Sequence, residues 1–246
     1  MYRHIKKYEL RYTDADAFDN LKLSALLGIL QESACLSADE LGFGYDDIKG
    51  DNVGFILANW YVQLDRPAKI GEVLEVHTWP LKPKHLIFLR DFELYVNDEK
   101  IGVVSARWCM VDLNNFSFMP IEKYFADGFF DGYNTERAVE FNSWKIPSAN
   151  LAECGGARNT RLLKYSDYDH YFHVNNTKYA DFLMDVFSVE ELRGKFVRKV
   201  QITYVKQCKE NEVLELFRQN SDGYYIVEGK VNGETRIQMR AEFGDL

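Results

Sequence analysis

The chain has 246 residues, of which 46% are hydrophobic and 15% aromatic, enough for one large domain or two small ones with a buried core and too apolar for a disordered polymer. No run approaches the ~18 consecutive apolar residues of a membrane span, and a net charge of -8 argues against wholesale binding to nucleic acid or an anionic membrane. Residues 2–12 alternate like a strand and carry no apolar core of signal-peptide type. After the turn YTDAD (residues 12–16), Leu23, Leu26, Leu27, Leu30 and Ala34 recur at helical spacing, with Gly42 as the stop; apolar Ile29 and Cys35 off that stripe predict a largely buried helix. Strands are expected at 55–64, 73–79, 86–96 and 101–112, with Asn97-Asp98 as a two-residue hairpin turn. Residues 120–156 form a connection too aromatic (Tyr124, Phe125, Phe129, Phe130, Trp144) to be a floppy linker. A strand at 158–165 then leads through YSDYD into a second helix. Its stripe is Tyr179, Phe182, Leu183, Val186 and Phe187, with Met184 off it and Gly194 as the stop. Strands at 197–205, 213–218, 224–231 and 235–243 close the chain, with Asn232-Gly233 as the last hairpin turn. The four cysteines, Cys35, Cys109, Cys154 and Cys208, are scattered without a CxxC pair, which suits a reducing cytoplasm and argues against structural zinc or disulfides.

The chain is written twice. YTDAD at residue 12 returns as YSDYD at 165, 153 positions later, and VQLDRPAKIGEVLEV from 62 returns as VQITYVKQCKENEVLEL from 200. VNDE at 96 returns as VNGE at 231, and Ala106-Arg107-Trp108 returns as Ala241-Glu242-Phe243. Four matches in one order define a repeat, and a repeat has to be recognised before motifs are read. The fall in offset from 153 to 138 gives the first copy about 15 extra residues after its helix, in GFGYDDIKGDNVGF. Each copy reads as a long helix followed by an antiparallel meander, an α+β arrangement of a curved sheet around a buried helix. The division expected is 1–130, a connecting segment 131–156, and 157–246.

YSDYDHYFHVNNTKY (165–179) is the polar stretch that needs a reason. Asp, Asn and Ser ahead of an apolar run cap a helix, and a cap alone is one reading. A metal site on His170 and His173 is a second, with no third soft ligand nearby. The third is catalytic. A helix N-terminus offers N–H groups to an oxyanion, and an acid with an imidazole beside it can activate water. The first copy keeps Asp14 and Asp16 in DADAFDNLKLS but has no histidine there. That asymmetry favours chemistry over capping.

SDYDHYFHVNNTKY resembles the SDxDxNxHVNNxKY signature of acyl-acyl carrier protein (acyl-ACP) thioesterases, which are tandem (double) hot-dog folds. LKLSALLGILQESACLSADELGFG, NWYVQLDRPAKIGEVLEVHTWP and RDFELY also resemble that family, so the likeness covers nearly the whole chain. It implies hydrolysis of fatty acyl-ACP in fatty acid biosynthesis, without metal or cofactor. Asp169 and His173 would be catalytic, and Asn175 and Asn176 would lie at the oxyanion-binding helix start. Two positions depart from the pattern. Tyr171 stands where the family has Asn, and Gln207 stands where YxxEC has Glu; Gln207 cannot take a proton. Cys208 is the alternative nucleophile, more often a packing residue. Trp60, Tyr61, Phe88 and Trp108 are candidates to line an acyl pocket, and Lys195, Arg198 and Lys199 are the densest basic cluster for an acidic carrier protein. His4, His77 and His85 receive no role. Three rivals remain: a single hot-dog acyl-CoA thioesterase, a non-catalytic acyl- or carrier-binding module, and a hot-dog dehydratase. Membrane insertion is not expected, and the duplication makes a monomer sufficient for the fold, though a homodimer is open.

Overall fold

The computed structural model describes residues 2–125, 133–170 and 172–246. The first half runs β1 (His4–Glu9), α1 (Leu23–Glu40), α2 (Tyr45–Ile48), β2 (Val53–Leu64), β3 (Val73–Pro80), β4 (Phe88–Val96) and β5 (Glu99–Asp112), followed by the short β6 (Phe118–Met119) and α3 (Ile121–Tyr124). After α4 (Leu151–Cys154), the second half runs β7 (Asn159–Leu162), α5 (Asn176–Met184), β8 (Lys195–Tyr204), β9 (Val213–Ser221), β10 (Tyr224–Val231) and β11 (Glu234–Asp245).

The eleven strands of the described residues form one antiparallel sheet in the order β1-β3-β4-β5-β2-β8-β11-β10-β9-β7, with β6 on β5. Read outward from the centre, each half repeats the same order. The halves join where Asn59 to Gln63 of β2 pair with Thr203 to Lys199 of β8. Both hairpin turns expected from sequence are present. Asn97 and Asp98 have φ of 51° and 64°, and Asn232 and Gly233 have 51° and 78°, the left-handed pair that matches strand twist.

Both helices lie against the inner face of this sheet and share one core with it. Leu26, Leu27 and Leu30 of α1 are buried with Tyr179, Phe182 and Leu183 of α5, and with Trp60, Phe92, Ile202 and Met239 of the sheet. The two stripes expected from spacing are the buried ones, while Cys35 is exposed. α1 has 18 residues and α5 only 9, so much of the first copy's extra length is helix rather than the loop GFGYDDIKGDNVGF alone. α5 ends well before Gly194. Ser188 and Glu191 cap each other's backbone N–H and start a new turn, and Gly194 serves the turn into β8 at φ 71°.

The described part of the connection is ordered and crosses the outer face of the sheet like a strap. The carboxylate of Asp91, fully buried, accepts from the Ala138 N–H and the Arg137 guanidinium, both at 2.8 Å. Phe141 stacks on Tyr61 at 4.1 Å, and Glu228, 1% exposed, accepts from the Ala149 N–H at 3.0 Å. Of the aromatic residues expected to order this segment, Phe129 and Phe130 lie outside the described residues. No helix of the described residues is long and apolar enough to cross a membrane.

Candidate active site

Each half enters its main helix through the same turn. Asp14 and Asp167 each close a one-turn 3-10 helix by accepting the backbone N–H three residues back, Arg11 and Lys164, both at 2.9 Å. Arginine reinforces both carboxylates, Arg11 at Asp14 and Arg161 at Asp167. Their own carbonyls accept from Lys22 and Asn175, the residues that precede the two helices. The first aspartate of each motif is therefore a structural cap.

The second aspartate tightens the next loop. Asp16 bonds the backbone of Asn20 through its N–H (2.8 Å) and its Oδ1 (3.0 Å); Asp169 bonds the backbone of His173 in the same two ways, at 2.9 and 3.3 Å. Asn20 thus occupies the position of His173. Asn20 is 2% exposed, and neither atom of its amide has a partner among the described residues. His173 instead opens onto a cavity. The turn tolerates either residue, so capping does not explain the histidine.

That cavity, about 390 Å³, is lined by Phe116, Tyr168, Phe172, His173, Gln207 and Cys208. Phe116 belongs to the first half and packs against the His173 ring at 5.5 Å; Tyr45 of α2 meets His170 edge-on at 5.9 Å. The first half is a wall of the site. Burial pushes the His173 imidazole below its ordinary value, and the charge of Asp169 opposes that shift. Gln207 donates from Nε2 to the Phe172 carbonyl at 3.3 Å, and Phe172 itself is held at φ 59°. Cys208 is fully buried, its N–H donates to the Tyr179 hydroxyl at 3.1 Å, and burial pushes its thiol up. A thiol in that state makes a poor nucleophile. Among the described residues no three His, Cys, Asp or Glu side chains converge as a metal ion would require.

At the start of α5, Asn175 is the N-cap. Its Oδ1 accepts from the Thr177 N–H at 2.9 Å and the Thr177 hydroxyl at 2.8 Å, so its side chain is committed to the helix. Asn176 is the first helical residue, and its N–H has no acceptor within the helix. Its side chain donates from Nδ2 to Gln31 Oε1 on α1 at 2.7 Å, its carbonyl accepts from the Tyr204 hydroxyl at 3.0 Å, and its Oδ1 is buried without a partner among the described residues. Tyr171 lies outside the described residues. Gln31 and Phe116 carry no mark in the sequence, and Tyr204 enters there only as the tyrosine of YxxEC. Gln31 is 145 positions from its partner, and nothing local in LLGILQESA marks it.

Other expectations are relocated. Lys195, Arg198 and Lys199 lie on β8 about 30, 20 and 16 Å from Tyr204 at strand rise, and the last two pair with Glu242. They do not border the site. Trp60 packs on Phe92 in the main core, and Tyr61 faces outward beneath the strap. Phe88 and Trp108 join a second aromatic cluster with Phe43 and Phe55 beyond the C-terminal end of α1. His85 sits in a turn rather than a strand.

The comparisons with known proteins agree with this arrangement. The family described as "Acyl-ACP thioesterase N-terminal domain" matches residues 1–129, and "Acyl-ACP thioesterase C-terminal domain" matches 157–244. The acyl-[acyl-carrier-protein] hydrolase FATB2 of Cuphea viscosissima is 23% identical over 85% of this chain and 53% of its own length. The palmitoyl-acyl carrier protein thioesterase of Gossypium hirsutum is 24% identical over 98% of this chain and 60% of its own. The chain thus spans little more than half the length of these curated relatives. In structure it is similar to an acyl-ACP thioesterase of Bacteroides thetaiotaomicron, with a TM-score of 0.87 at 24% identity over 98% of both chains. It is equally similar to the 12:0-ACP thioesterase of Umbellularia californica, with a TM-score of 0.87 at 15% identity over 99% of this chain and 98% of that one. The likeness establishes the tandem hot-dog fold, and with two family domains matched in order the chain belongs to the acyl-ACP thioesterase family.

Proposed function

We propose that the protein hydrolyses fatty acyl-ACP thioesters to free fatty acid and carrier protein. The observation that carries this reading is the placement of His173 in a cavity beside the start of α5 in the second half only, with Asn20 sealed at the equivalent point of the first. The thioester carbonyl would sit at the N-terminus of α5, where each N–H donor aimed at the oxyanion contributes about 3 kcal/mol. Neutral His173, its loop shaped by Asp169, takes a proton from water as the oxygen attacks the acyl carbon. Collapse of the tetrahedral oxyanion breaks the C–S bond, and the imidazolium returns the proton to the leaving thiolate. Gln207 takes no part in proton transfer and braces Phe172. In this reading residues 157–246 carry the chemistry, residues 1–130 lend a wall, and residues 131–156 connect them.

Release of free thiol from acyl-ACP tests the reading in wild type, Asp169→Ala and His173→Ala. Turnover is expected in wild type and a loss of 10²- to 10⁴-fold in His173→Ala, on the order expected for a general base. One observation favours a second reading. Gln207 cannot carry a proton where YxxEC would place a Glu, which fits acyl binding without turnover. Wild type that binds acyl-ACP but releases no thiol would establish it.

A further inference from the structure

We propose that Gln31, on the helix of the first half, is a positioning residue for the reaction in the second half, acting through Asn176. The inference rests on the hydrolase reading above. α1 passes close to α5 at Gly28, where a Cβ would meet Thr177 Cγ2 at 3.9 Å, so the face of α1 one turn further on presents Gln31 to the first turn of α5. There Gln31 Oε1 accepts from Asn176 Nδ2 at 2.7 Å. From the other side the Tyr204 hydroxyl donates to the Asn176 carbonyl at 3.0 Å. Asn176 is gripped at side chain and backbone at once, and it carries the first N–H of α5 without an intrahelical acceptor. Because Gln31 occupies Nδ2, the amide of Asn176 is fixed with Oδ1 as its unused acceptor, and that oxygen has no partner among the described residues.

The repeat supplies an internal control. At the offset of 153 that relates the two turns, Leu23 stands where Asn176 stands, as the first residue of α1, and Met184 stands where Gln31 stands, as the last of α5. On the side of the molecule whose turn has no histidine, both positions are apolar: Leu23 is buried in the core and Met184 packs against that core. The fold therefore accepts apolar residues at both positions in the other copy. Among the described residues the polar pair occurs only on the side whose turn carries His173, and it spans the two copies. A crossing that needed only stability would have no reason to retain two amides, since removing both partners together is nearly neutral.

A double-mutant cycle on thiol release from acyl-ACP tests the role, with Gln31→Met, Asn176→Leu and the two combined. Gln31→Met is expected to lower kcat about tenfold or more, the scale of one lost hydrogen bond at a reacting group, with KM within about twofold of wild type. The double variant is expected to fall no further than Asn176→Leu alone and to melt near wild type, because the other copy carries Leu23 and Met184 at the same two positions. Wild-type kcat in Gln31→Met would overturn the proposal. So would losses that multiply in the double variant, because Gln31 would then act independently of Asn176. Absence of thiol release in wild type would defeat the hydrolase reading and this role with it, an outcome readily told apart from a wild type that turns over and a variant that matches it.

Discussion

Asp167 and Asp169 stand two positions apart in one motif and contribute at different levels. Asp167, 1% exposed, accepts from the Lys164 N–H and from Arg161 at 2.6 Å, so replacing it removes both the acceptor that closes the turn and the partner of a guanidinium. Asp167→Ala is expected to cost about 2–4 kcal/mol, a fall of roughly 5–15 °C in Tm for a chain this long, measurable by calorimetry. Asp169→Ala should weigh more on turnover than on Tm. His173 sets the pH response. Burial holds its imidazole below the ordinary value of 6.5, with Asp169 opposing, so the neutral, proton-accepting form persists further into acid. The acid limb of kcat/KM is expected below pH 6.5, and Asp169→Asn, which removes the opposing charge, should move it lower still. A limb above 6.5 in wild type would contradict the base role. Cys208→Ala should keep turnover within a few-fold, with no acyl-enzyme seen by mass spectrometry, because burial keeps the thiol protonated. Of the candidates named from the sequence, Asp169, His173, Asn175 and Asn176 belong to one contiguous stretch whose turn chemistry is local, while Gln207 and Cys208 come from a second stretch and line the same cavity. Gln31 and Phe116 were illegible because only the tertiary crossing of the helices, or the docking of one half on the other, brings them there.

Strands and hairpins were readable at the scale of elements because period-two burial and turn residues are short-range signals. The length of α5 was not. Val186 and Phe187 continue the apolar stripe and are buried at 6% and 9%, yet the helix has ended, since Ser188 and Glu191 cap a new turn and compete successfully for the backbone. The close crossing at Gly28 yields a prediction of its own. A Cβ there meets only Thr177 Cγ2 at ordinary contact distance, so Gly28→Ala should gain close to the ~1 kcal/mol of helix propensity, raising Tm by about 2–4 °C, without loss of activity. Gly28→Leu should wedge the helices apart and separate Gln31 from Asn176, with turnover lost before the fold. Thermal melts and thiol release on the two variants distinguish these outcomes.

For the whole molecule, the decisive feature is that two copies of one pattern share a single sheet through β2 and β8, and that the strap is fixed to the outer face of both. Asp91 holds it on the first half and Glu228 on the second, each by a backbone N–H. Replacing Glu228 with Ala should release the strap locally, seen as faster amide hydrogen exchange at 143–150 than at 134–138, where Asp91 still holds. The tandem layout was legible because four matched segments kept their order. The path of the strap was not, since it depends on two carboxylates 137 positions apart that no local pattern links.

The union of both copies in one chain has a further consequence. Two identical subunits related by a twofold axis must carry the same residue at both symmetry-related points, so any substitution is made twice. Here the two points are encoded separately. His173 and Asn176 could specialise on one side while Asn20 and Leu23 became plain structure on the other, with no penalty exacted at the twin position. Ligand stoichiometry records that freedom: each polypeptide should bind one acyl chain rather than two, and saturation should be hyperbolic, with no second equivalent to cooperate with the first.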